Sequence, residues 1–143
     1  MRLCSACLLG VKCLYNGRIL HKEKILQLAK TETLIPVCPE QLGGLPTPRP
    51  PARLQGDGSE IIGGQAKVID GYGKDITGNF LKGAEETLKL VKSNNITEVI
   101  FKKISPSCGN SYVRIAGKVV KGEGVTTALL RKNGIKVISE EDL

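Results

Sequence analysis

The sequence predicts an α/β fold: one compact domain over residues 1–143, with a four-stranded, mostly parallel sheet flanked by helices and carrying small hairpin inserts. Three observations carry this reading. Short apolar runs alternate with amphipathic helical stretches. The segments that break the alternation are hairpin-like or rich in proline and glycine. A length of 143 residues, 41% hydrophobic and 24% charged, suits one globular core and neither a disordered nor a fibrous chain.

The elements follow in order. RLCSA (2–6) and LIPVC (34–38) read as short buried strands. Between them, HKEKILQLAKTE sets Ile25, Leu28 and Ala29 at helical spacing, with His21 in the first turn and given no catalytic role. NFLKGAEETLKLVKSNN (79–95) places Phe80, Ala84, Leu88 and Val91 on one stripe, ends in Asn94-Asn95, and runs into the strand EVIFKKI. GVTTALLRKNG is a helix closed by Gly134, followed by the strand IKVIS. Four strands alternating with three helices imply a parallel sheet of flavodoxin- or Rossmann-like character. QLGGLPTPRPPARLQGDG (41–58) is too rich in proline and glycine for regular structure. YVRIAGKVVKGEG resembles a hairpin turning at Ala116-Gly117, and GGQAKVIDGYGKDIT a second small one. Such inserts follow the carboxyl ends of strands, where open parallel sheets build their sites. ISEEDL resembles part of an epitope tag, but IKVIS completes an expected strand and the tail reads as native.

Composition narrows the function classes. The apolar start is short, is interrupted by Lys12, and lacks a small-residue cleavage site, so the chain is expected in the cytoplasm. No segment approaches the roughly 20 apolar residues that span a bilayer, and no membrane role is expected. The net charge of +7, from 21 basic and 14 acidic residues, favours anionic partners. With two Phe, three Tyr, no Trp and dispersed lysines, the chain has no stacking platform for nucleic acid. QLGGLP and IIGGQA lack the G-x-G-x-x-G order, and no Walker A pattern occurs. A monomer or weak homodimer is expected.

In a reducing compartment, five cysteines are metal ligands, nucleophiles or buried filler. Cys7 follows the first strand, Cys38 closes the second and Cys108 follows EVIFKKI, so all three should meet at one sheet edge. Separations of 31 and 70 residues match no zinc ribbon, but parallel strands bring such positions together. Three thiolates suit a soft metal centre such as an iron-sulfur cluster, one iron of which would stay open. The alternative is that all three are core filler. Cys4 pairs with Cys7 as C-x-x-C but falls inside a strand and reads as buried. Cys13 is a fourth ligand, a nearby thiol or a packed side chain.

Other candidates cluster at the same edge. Glu40 could move a proton beside Cys38, or simply be solvated. Ser105 and Ser107 flank Pro106 ahead of Cys108, where their hydroxyls would hold a substrate or water or close a turn. Arg49, among prolines, could meet an anionic or carbonyl-rich ligand or stay solvated. Asn16-Gly17 makes a tight turn whose amide could touch a substrate.

Taken together, SACLLG with CLYNG, VCPEQLGGLPTPRPP, DITGNF, SPSCG, GEGVTTALL and NGIKVISEED resemble the thiouracil desulfidases, also known as domain of unknown function 523, almost from end to end. The resemblance implies a 4Fe-4S cluster held by Cys7, Cys38 and Cys108. Its open iron would bind the sulfur of a small thiolated nucleobase, a 2-thiouracil-like pyrimidine, and water would replace that sulfur without net redox change, giving uracil and hydrogen sulfide. Glu40 would handle the proton and Ser105 would orient substrate or water, with Asn16, Arg49 and Ser107 contacting substrate. Asn16 stands where the family more often has Asp, and Cys13 occupies a variable position. The competing expectation is an iron-sulfur or sulfur carrier without turnover.

Overall fold

The computed structural model describes residues 1–20 and 22–143; His21 lies outside the described residues. The chain opens with β1 (Arg2–Ser5) and a 3-10 turn over Ala6–Leu9, continues through α1 (Glu23–Leu28) and β2 (Leu34–Val37), and enters α2 (Pro39–Leu42) at once. After β3 (Ala52–Leu54), α3 (Gly58–Ile62) and β4 (Val68–Asp70) come the long α4 (Thr77–Ser93) and β5 (Glu98–Phe101). A hairpin of β6 (Tyr112–Ile115) and β7 (Lys118–Lys121), then α5 (Val125–Lys132) and β8 (Lys136–Ser139), complete the order.

The first sheet has the order β2-β1-β5-β8 and is parallel throughout, with Leu3 opposite both Ile35 and Val99, and Val99 opposite Val137. Side chains alternate between its faces. Leu3, Val99, Phe101 and Val137 pack with Val91 of α4 and Leu130 of α5. Cys4 and Ile100 pack on Leu8 and Ile25. Burial on both faces is why these strands read as continuous apolar runs in the sequence. Cys4 is fully buried inside β1, as expected of a strand residue.

The second sheet, β4-β3-β6-β7, corrects the sequence reading. The stretch 41–58 contains β3 and the start of α3, although it was expected to lack regular structure. Three residues carry too little periodicity to read as a strand. β3 exists because it pairs antiparallel with β4 and parallel with β6. The hairpin at Ala116-Gly117 forms as expected: both residues have positive φ (51° and 78°), as a two-residue primed turn requires, and Ile115 faces Lys118. The second hairpin reduces to one bridge, Ile69 to Asp75, because β4 takes its main partner from β3. Leu54, Val68 and Val113 of this sheet share a core with Phe80 and Ala84 of α4, Ile61 of α3 and Val125 of α5.

Two close approaches fix the edge of the first sheet. A Cβ on Gly83 would land on the carbonyl oxygen of Pro39, so α4 touches the backbone of α2 directly, and Asn79 Nδ2 donates to Gly43 O at 2.9 Å nearby. A Cβ on Gly124 would meet the backbone of Ser107. There the first turn of α5 donates its otherwise unpaired N–H groups to the loop after β5: Val125 N to Pro106 O at 3.0 Å and Thr126 N to Ser107 O at 2.9 Å. Thr127 Oγ1 adds a bond to Cys108 O at 2.8 Å. Replacing Gly83 by Ala should therefore destabilise the fold by ~1–3 kcal/mol in urea unfolding, whereas the same change at an exposed helix glycine would stabilise it.

Candidate active site

Three segments leave the first sheet at its carboxyl edge: the turn after β1 carries Cys7, the start of α2 follows Cys38, and the loop after β5 carries Ser105 to Cys108. All three cysteines line one cavity of about 260 Å³, together with Glu40, Ser105 and Ser107. The five cysteines are unbridged. Among the described residues, no three His, Cys, Asp or Glu side chains close on one point tightly enough for a single ion. Thiolate donors spread around a cavity fit a polynuclear centre with its own bridging sulfides, and soft sulfur ligands match iron.

The sulfurs are electrostatically unequal. A hydrogen bond from Cys13 brings the Cys38 thiol down to about 7 against the opposing effect of burial, with help from the backbone N–H of Gln41. Cys7 is also lowered, first by a hydrogen bond from Cys13, and further by the nearby Lys102 charge. Cys13 itself is pushed far up, because its neighbours Cys38 and Cys7 hold its proton on it. Burial pushes Cys108 up, opposed by hydrogen bonds from Ser5 and Ser107. Burial raises Cys4 to about 12, which keeps it a neutral strand thiol.

Beside the sulfurs lies a continuous polar chain. Arg49 Nε donates to Glu40 Oε1 at 3.1 Å, and Ser107 Oγ donates to Glu40 Oε2 at 3.1 Å. Ser107 Oγ also lies 3.8 Å from Cys108 Sγ, so its proton has two acceptors in reach, and 3.4 Å from Ser105 Oγ. Ser105 Oγ accepts from the N–H groups of Ser107 (3.3 Å) and Cys108 (3.0 Å). With its lone pairs so engaged, its own proton is left to donate. Glu40 and Arg49 are each only 9% exposed.

Arg49 does more than pair with Glu40. Nη2 donates to Cys13 O at 2.8 Å, and Nη1 to Pro46 O at 3.2 Å and Thr47 Oγ1 at 2.9 Å. One planar guanidinium thereby ties the proline-rich loop, the Cys13 segment and the carboxylate together. Asn16 stands apart from the other expected site residues: it is exposed, and its Oδ1 accepts from the backbone N–H of Arg18 at 3.0 Å, closing a turn. Two charged cavity residues escaped the sequence reading. Lys102 directly follows β5 at the same edge as Cys108, a signal that was available. Arg114 sits on β6 and reaches the cavity only because the second sheet packs there.

The fold and the cavity define a class: small α/β proteins that gather cysteines (here Cys7, Cys13, Cys38 and Cys108), a buried glutamate and two serines at the carboxyl edge of a parallel sheet. The chain belongs to the 2-thiouracil desulfurase family, whose model matches residues 3–142. It is 42% identical over 147 residues to the uncharacterised protein YbbK of Bacillus subtilis (strain 168), covering 100% of this chain and 97% of that one. It is also similar to the solved structure of the [4Fe-4S]-dependent thiouracil desulfidase TudS, with a TM-score of 0.86 and 40% identity over 99% of this chain and 91% of that one.

Because Glu40 and Arg49 are buried together, Arg49→Ala should cost ~3–5 kcal/mol of stability by leaving the carboxylate unpaired. Arg49→Lys should restore only part of it, since one ammonium cannot serve Glu40, Cys13 O and the 46–47 segment at once. Urea midpoints of the two variants measure the difference.

Proposed function

We propose that the chain desulfurates a small thiolated pyrimidine of the 2-thiouracil kind without net redox change, using a 4Fe-4S cluster held by Cys7, Cys38 and Cys108. The observation that carries the reading is the convergence of these three sulfurs on the cavity that also holds the Glu40–Ser107–Ser105 chain. Family membership and the likeness to TudS support it. We take residues 1–143 as one domain, working as a monomer or weak homodimer in the cytoplasm.

When bound, the cluster supplies a Lewis-acidic iron without a protein ligand, which draws electron density from the substrate's thiocarbonyl sulfur. The chain's own groups handle the water. Ser105, whose oxygen is saturated by two backbone donors, turns its O–H into the cavity to orient the substrate or the attacking water. Glu40 takes a proton from that water as its oxygen bonds to the ring carbon; Ser107, donating to Oε2, keeps that oxygen turned to the sulfur side of the cavity. As the carbon–sulfur bond breaks and its electron pair leaves on sulfur, that proton passes from Glu40 to sulfur; the proton left on the added oxygen follows it by way of Glu40 as the carbonyl closes, so thiocarbonyl and water become carbonyl and hydrogen sulfide. Arg49 holds the other carboxylate oxygen, which fixes the orientation of Glu40 through the cycle.

Reconstituted under argon, the wild-type protein should be brown and convert 2-thiouracil to uracil and sulfide. Cys108→Ser should lose iron and colour together. Glu40→Gln should keep the cluster spectrum while turnover falls by about 10²- to 10⁴-fold, the usual contribution of a positioned acid–base group. A wild-type protein that holds its cluster but releases no uracil would point to the carrier reading instead, and full activity in Glu40→Gln would remove Glu40 from the proton path.

A further inference from the structure

Cys13 is the cavity thiol that the desulfuration scheme leaves unused. It is 3% exposed, lines the cavity beside Cys7 and Cys38, and packs with both in one buried cluster. Its backbone is held by Cys13 N donating to Val11 O at 2.8 Å and by Cys13 O accepting from Arg49 Nη2 at 2.8 Å, and Cys13 O lies 4.0 Å from Cys38 Sγ. The four ligands of a cubane bind four separate irons, one at each metal corner. A thiol packed beside two of those ligand residues can lie against their sulfurs and leave the fourth corner open.

We propose that Cys13 is a positioning residue for the metal centre, donating its S–H to the sulfur of Cys38 or Cys7 and thereby setting the reduction potential and oxygen resistance of the cluster without ligating it. The inference rests on the cluster reading above. A donor on a ligand sulfur withdraws electron density from iron and favours the more reduced state, so the potential rises and oxidative loss slows. Arg49 holds the Cys13 backbone in place for this, which links the same guanidinium to both the carboxylate and the sulfurs.

The test compares wild type, Cys13→Ala and Cys13→Ser, all reconstituted anaerobically, by iron and sulfide content, midpoint potential and the rate at which the visible absorption bleaches in air. Circular dichroism checks the fold; should Cys13→Ala fail to hold it, Cys13→Val fills the space without a donor and takes its place. The expected result is wild-type iron content in both variants. The Ala protein should show a more negative potential and bleaching about two- to tenfold faster, the factor one net hydrogen bond is worth, while Ser, which restores a donor, stays near wild type. Wild-type potential and bleaching in Cys13→Ala would reduce Cys13 to packing and overturn the proposal. Loss of one iron, or of the whole cluster, in both variants but not in wild type would make Cys13 a ligand and overturn it as well. A wild-type chain that takes up no cluster would bring down the cluster reading itself, a result visible before any variant is compared.

Discussion

Parallel pairing of β2, β1 and β5 is the constraint on which the remaining architecture depends. Parallel strands all end on the same side, so the residues just beyond them share one edge however far apart they lie in the chain. Cys7, Cys38 and the Ser105–Cys108 loop are three such exits. Antiparallel pairing of any one of these strands would send its cysteine to the opposite edge, and the cavity would lose a sulfur.

Two helices turn that shared edge into a fixed geometry. α4 presses on the backbone of α2 at Gly83, which sets where Glu40 stands. α5 holds the 106–108 carbonyls with its first-turn N–H groups and Thr127, which sets where Cys108 and the two serines stand. In both places a glycine makes the approach possible, and in both the contact is to backbone, which cannot swing aside as a long side chain can.

The polar groups in the cavity are buried, so their cost must be offset locally. Glu40 is matched by Arg49 and Ser107, and Arg49 uses its remaining donors on Cys13 O, Pro46 O and Thr47 Oγ1. One guanidinium thereby holds both the Glu40 carboxylate and the backbone of Cys13 in the same cavity. Lys102 and Arg114 add positive charge to the cavity, and Lys102 contributes to lowering the Cys7 thiol.

Much of this was legible in the residues alone. The alternation of apolar strands with amphipathic helices determined the first sheet, because burial on both faces writes itself directly into local hydrophobicity. Residues next to strand ends, namely Cys7, Cys38, Glu40, Ser105, Ser107 and Cys108, inherited their meeting point from that topology. The second sheet was not legible, since Ala52–Leu54 is too short to show a period and becomes a strand only through partners 14 and more residues away. Arg114 went unseen for the same reason. Arg49 was seen as a cavity residue, but its partners were not, because which carbonyls and carboxylate a guanidinium meets depends on how separate segments pack. Asn16 closes the tight turn that its Asn-Gly pair predicts, and its side-chain oxygen is engaged there by Arg18 N. The sequence by itself determined the main sheet and which residues leave its functional edge; only the tertiary structure decided which of them touch, because hydrogen bonds and burial are set by neighbours in space that no local pattern encodes.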